Sequence, residues 1–197
     1  MNPHYMNDCD CHRKNSLTTA ADTESHFLLD WGGKPVVPSK RYRAWNYLYS
    51  PLNDSWARAA LTAQSKFGSQ YARTIQGFID TFFLDLEFYS LMDNPFINMY
   101  EGINIYGING KSGEYFGQLA YNRDYNAISL GKSGGIASLW YPERISGPVL
   151  PPVPAYYFKN SDSQQYLGSL GGNGWLRGGM NPEDPNVYCY FAMEPLF

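Results

Sequence analysis

The spacing of apolar residues changes twice along the chain and divides it into three stretches. Residues 1–38 have no period. They are polar as far as Thr23, carry one short apolar anchor in Phe27-Leu28-Leu29-Asp30-Trp31, and turn at Gly32-Gly33-Lys34-Pro35 before Pro38. This pattern predicts an extended N-terminal arm whose anchor packs on its own domain or on a neighbour. Residues 39–80 show helical spacing. Tyr42, Trp45 and Tyr49 fall at i, i+3 and i+7 between Ser39, a candidate N-cap, and Pro51. Trp56, Ala60, Ala63 and Phe67 continue at spacings of four, three and four, with Asn53 or Asp54 as cap and Gly68 where a C′ glycine belongs. A third helix from Ser69 would bury Tyr71, Ile75 and Phe78.

Beyond residue 81 the period falls to two. Residues 82–88 alternate, which places Asp85 and Glu87 on a wet face. Strands are expected at 103–108, 114–121, 127–130 and 136–141, with Asn109-Gly110 as a hairpin signal. A Pro-rich extended stretch at 147–154, a Gly-rich loop at 168–179 and a last strand at 187–191 complete the chain. The predicted class is α+β: an arm (1–38) and a single domain (39–197), helical over 39–80 and an antiparallel meander or sandwich-like sheet over 81–197.

Candidate chemistry is sparse. Gly-Lys-Ser occurs at 110–112 and 131–133, but the earlier glycine of a phosphate-wrapping loop is replaced by Ile105 and Asn126, so nucleotide binding is excluded. Cys9, Cys11, His12 and His26 are the one conceivable metal set, yet the Cys-x-Cys spacing is too tight for an ordinary zinc site, and neither metal nor cofactor is expected. All three histidines lie in the arm, which argues against a Ser-His-Asp or Cys-His catalytic site. Asp85, Glu87, Glu101 and Glu114 leave carboxylate chemistry as a minor reading. An odd cysteine count, with no apolar signal segment and no membrane-length run, suggests folding in a reducing cytoplasm. The sequon at Asn53 is then unused.

Charge and composition carry more. Charged residues make up only 17% of the chain and aromatic residues another 17%, a balance that suits a surface held in contact with a partner. Lys40, Arg41, Arg43, Arg58, Lys66 and Arg73 oppose Asp54 alone, so residues 40–73 carry +5 while the remainder carries −8. Head-to-tail association through complementary charge is favoured over nucleic acid, which the acidic overall balance disfavours. The preferred expectation is a non-enzymatic structural subunit of a homo- or hetero-oligomeric assembly, of the composition found in virion head–tail or tail components. It would dock through Phe27, Leu28 and Trp31 and through a basic face of Arg41, Arg43, Arg58, Lys66 and Arg73. The alternative is a carbohydrate-binding β module that stacks sugars on Trp140, Tyr141 and Trp175.

Overall fold

Strand β1 (Arg41–Ser50) sets the architecture because both of its faces are buried. Tyr42 and Ala44 point into one apolar core, and Trp45 and Tyr47 into a second cluster on the opposite side. The computed structural model describes residues 26–197 apart from 67, 78–82, 132–135, 146–149 and 185. Twelve further strands follow: β2 (Ser55–Lys66), β3 (Ser69–Ile75), β4 (Leu84–Ser90), β5 (Ile103–Asn109), β6 (Tyr115–Asn122), β7 (Ala127–Gly131), β8 (Leu139–Arg144), β9 (Tyr156–Asn160), β10 (Tyr166–Leu170), β11 (Arg177–Met180), β12 (Val187–Tyr188) and β13 (Tyr190–Pro195). Every pairing between them is antiparallel.

The pairings close a ring. β1 pairs β4, β4 pairs β5, β5 pairs β8, β8 pairs β9, β9 pairs β13, and β13 returns to β1. The result is a six-stranded barrel without an open edge. The barrel-strand pairs β1/β4, β5/β8 and β9/β13 bracket the hairpins β2–β3, β6–β7 and β10–β11. A barrel strand, two hairpin strands and a barrel strand thus occur three times, with the short β12 added in the third unit, where it pairs β10; this is the β-trefoil arrangement. The hairpins meet at one end of the barrel through main-chain bonds. β3 pairs β7, the Leu176 N–H donates to the Ala72 carbonyl at 2.9 Å, and the Ile128 N–H donates to the Leu176 carbonyl at 2.9 Å.

Large rings fill the barrel. Phe88 contacts Tyr42 at 5.9 Å and Phe158 at 6.1 Å, and Phe158 contacts Phe191 at 5.9 Å. Trp140 is fully buried and donates its indole N–H to the Leu119 carbonyl at 2.9 Å. The segment 26–38 closes the end away from the hairpins. Leu28 and Val36 are fully buried, and the hydroxyls of Tyr156 and Tyr42 accept the N–H groups of Leu29 and Val37. The Trp31 N–H donates to the Met193 carbonyl at 2.6 Å.

The α+β expectation is overturned. Residues 41–50, 55–66 and 69–75 are strands, and the described residues contain no α-helix, only a short 3-10 turn at Ile136–Ser138. The cause is burial on two sides. Ala59 through Ala63 are all buried, so β2 shows no alternation for a period-two reading to find. The alanines that mimic a helical face serve Trp45 instead, whose cross-strand partners are Ala60 on β2 and Ala192 on β13. The proposed caps belong to turns. Ser39, Asp54 and Gly68 all adopt positive φ (62°, 47° and 77°) beside strands, not at helix ends. Phe67 and Phe78 lie outside the described residues. The wet-face placement of Asp85 and Glu87 is also corrected, since these side chains are 2% and 4% exposed.

Replacing Leu28 by alanine tests whether the 26–38 segment belongs to the fold. It should lower the unfolding free energy by about 2–5 kcal/mol, as for any core leucine. A change within about 0.5 kcal/mol in denaturant titration would show the segment to be dispensable.

Candidate functional site

Two surface concavities are built from chemistry-bearing side chains. The larger is an open groove of about 690 Å³ along β8 and β9. The barrel's alternation puts Trp140 and Pro142 inside and Tyr141 and Glu143 outside, where Tyr141 lies across from Lys159 of β9. Tyr141 is 36% exposed and Tyr100, on the facing wall, 72%. Tyr100 is braced from below. Its N–H donates to the Asn98 Oδ1 at 2.9 Å, and its ring lies 5.4 Å from that of His26. The polar rim comes from Arg144 and from the 161–165 turn that carries Ser161 and Gln164. That turn is held by Asn160, whose Oδ1 accepts the N–H groups of Asp162 and Ser163 and whose Nδ2 donates to the Ala137 carbonyl.

Behind the groove wall, the Tyr166 hydroxyl donates to the Glu143 Oε2 at 2.8 Å. Burial, and then that bond, push the Tyr166 phenol up to about 12. Tyr157, packed 5.4 Å from Tyr166, is raised by burial and by Tyr190, and burial alone pushes the Cys189 thiol up to about 12.

The second concavity is a pocket of about 70 Å³ where the three hairpins meet. Tyr71, Tyr125 and Trp175 form its walls, with Tyr71 6.3 Å from each of the other two rings. Lys66 Nζ stands 5.0 Å from the Trp175 ring centroid and the Arg73 guanidinium 5.6 Å. The guanidinium of Arg73 also donates to Gln64 Oε1 at 2.6 Å.

The residues expected to act together are dispersed. Leu28 is in the barrel core, Phe27 packs on Phe96 at 5.4 Å, and Trp31 packs edge-on against Trp45 at 6.4 Å. Arg41 and Arg43 reach Glu87 (3.8 Å) and Asp85 (3.3 Å), and Arg43 lies 4.0 Å over the Phe83 ring. Arg58 lies 4.3 Å over Trp45, while Lys66 and Arg73 stand at the hairpin pocket. The register of β1–β3 nevertheless sets Arg41, Arg43, Arg58, Lys66 and Arg73 on one face, where they meet acids and rings of the chain itself. Of the stacking candidates, Trp140 offers no surface, Tyr141 lines the groove and Trp175 lines the hairpin pocket.

Three of the four acids considered for catalysis are engaged structurally, and Glu114 is exposed. Glu87 accepts the hydroxyls of Tyr89 and Tyr115, and Glu101 accepts from Ser90 and Asn94. Asp85 has its carboxyl raised, chiefly by burial and against the pull of Arg43. Among the described residues, no three His, Cys, Asp or Glu side chains gather as a metal site would need; Cys9, Cys11 and His12 lie outside those residues. No helix among the described residues is long and apolar enough to cross a membrane.

Several groove and pocket residues escaped sequence reasoning. Tyr100 sits in an irregular connection with no period. Arg177 lies outside the basic stretch that drew attention. Glu143 was within reach of pattern reading, because Tyr141-x-Glu143 alternates on an outward strand face.

No family model matches the chain, and no curated protein matches it. Solved structures do. Soybean Kunitz trypsin inhibitor, complexed with 1,5-disulfonyl naphthalene, is similar at TM-score 0.53 and 14% identity over 87% of this chain and 99% of that one. A lysenin pore gives 0.49 at 14% identity, covering 82% of this chain and 48% of its own, so the present chain spans about half the length of that protein. A salivary protein from Culex quinquefasciatus, of the cysteine- and tryptophan-rich family, gives 0.45 at 13% identity over 81% and 95%. At these identities the likeness to the Kunitz inhibitor concerns the fold.

The buried Cys189 and Tyr166 make stability pH-dependent. Their folded pKa values lie above the ordinary 9.0 and 10.0, so their contribution is complete below about pH 9 and is lost as pH rises toward about 12. In a Cys9→Ser, Cys11→Ser variant, Cys189 should resist a thiol reagent at about pH 8 until the chain is unfolded, and the thermal midpoint should fall above about pH 9. Rapid labelling of the folded protein would contradict the buried placement.

Proposed function

We propose that this protein is a non-enzymatic binding module that takes carbohydrate in the β8–β9 groove. The observation that carries this reading is the groove's lining, in which the exposed rings of Tyr100 and Tyr141 stand among Glu143, Arg144, Lys159, Ser161 and Gln164. A sugar ring presents apolar C–H faces and a belt of hydroxyls that both donate and accept. Tyrosine rings match the faces, carboxylate and amide oxygens accept from the belt, and Arg, Lys and Ser donate to it. The volume of about 690 Å³ is in the range of small-ligand sites. The groove stands on two barrel strands and an Asn160-braced turn, so the contacting groups are held in place before a ligand arrives.

Assembly with other subunits is the second reading. It is supported by the uncovered apolar side chains Leu91 and Met92, which are 60% and 62% exposed, on the β4–β5 connection close in sequence to Tyr100. The described arm residues and most of the basic stretch serve the chain's own fold, so an assembly surface would lie on this connection.

A glycan panel read by surface binding separates the two. Tyr141→Ala and Tyr100→Ala should each weaken the best ligand by about 10-fold, ~1.4 kcal/mol, while Trp175→Ala leaves it unchanged. Absence of any glycan ligand, together with an oligomer by light scattering that Met92→Asp disperses, would favour assembly instead.

A further inference from the structure

The hairpin pocket is independent of the groove and has a different chemistry. We infer that it binds a single compact oxyanion, a sulfate or phosphate group. Its seven lining residues include two cations, Lys66 and Arg177, and no acid. Arg177 is the informative one. It is half-buried, yet its guanidinium has no hydrogen-bond or ion-pair partner among the described residues. Arg41, Arg43 and Arg123 all meet carboxylates. A guanidinium of a half-buried residue that no protein acceptor engages is open to a bidentate oxyanion.

The aromatic walls strengthen the field. Trp175 carries Lys66 at 5.0 Å and Arg73 at 5.6 Å from its ring centroid, so two positive heads are held on one indole beside the pocket. Tyr71 lines the pocket as a buried ring, while Tyr125 lines it with more than half of its surface exposed. A volume of about 70 Å³ corresponds to roughly two water molecules. That admits one oxyanion head and excludes a sugar ring. Each hairpin contributes to the walls: Lys66 and Tyr71 from β2 and β3, Tyr125 from the β6–β7 turn, and Trp175 and Arg177 from the β10–β11 region. The pocket thus exists only when all three hairpins have docked.

The test is thermal denaturation of the full chain in sodium sulfate, sodium phosphate and sodium chloride at matched ionic strength. Sulfate and phosphate stabilise proteins generally by exclusion from their surface, so the variant comparison decides. The wild-type midpoint should rise further with the oxyanions than with chloride, and the excess should saturate in the millimolar range, as site binding requires. Arg177→Gln and Lys66→Gln should each remove most of that excess, a loss of at least 10-fold in apparent affinity. Tyr141→Ala should keep it, which separates this pocket from the groove. An excess that never saturates, or that survives both charge-removing substitutions, would overturn the proposal as an adventitious salt effect. Glucose 6-sulfate and glucose 6-phosphate then distinguish the source. Arg177-dependent binding of either supports the pocket and names its group, and failure of both would overturn it as a site for an oxyanion carried on a larger molecule.

Discussion

The structure depends on filling a six-stranded barrel with rings. Six strands enclose too little space for a ligand, and Phe88, Phe158, Phe191, Trp140, Tyr42 and Tyr156 share the core with Leu86, Ile103 and Ile105. Once those rings are inside, both ends of the barrel must be sealed. The hairpins close one end with their main-chain bonds, and the 26–38 segment closes the other, where the hydroxyls of Tyr42 and Tyr156 emerge to take its N–H groups. Both concavities follow from this plan. The groove is the outside of two barrel strands, and the pocket is the point where the hairpin seal is made.

How much of this was legible follows from burial on one side or two. Strands set off by turn signals were visible in the sequence: residues 103–108, 114–121 and 127–130 lie within or beside β5, β6 and β7, and β5 alternates with Ile103 and Ile105 inside. The Asn109-Gly110 turn is real, with the Asn109 Oδ1 accepting from the N–H groups of Lys111 and Ser112. Where a second cluster covers the outer face, as at β1, β2 and β13, the alternation disappears and small residues beside Trp45 imitate a helix. The repeat was hidden for a related reason. The three units share pairing geometry and not residues.

The charges tell the same story from the surface. Counting by segment found a real excess of cations at 40–73, and strand register puts Arg41, Arg43, Arg58, Lys66 and Arg73 on one face of β1–β3. Arg41 and Arg43 neutralise the acids of β4, and Arg58 lies on an indole beside Glu194, which accepts the Trp45 N–H at 2.7 Å. That shared face is divided among acids and aromatic rings of the chain itself. Only Lys66 and Arg73, at the β2–β3 hairpin, end where Trp175 also ends.

The ring closure has a consequence for how the chain comes to be folded. β1 needs β2, which is its neighbour in sequence, and also β13, which is synthesised after the twelve strands before it. Until residues 190–195 arrive, the far edge of β1 around Trp45 and Tyr47 has no permanent partner, and neither has β9 on its β13 side. During synthesis the first two units can form hairpins but cannot close the barrel. The rings meant for its interior stay accessible to other chains, beside open strand edges. Barrel closure waits for β13 to join β1.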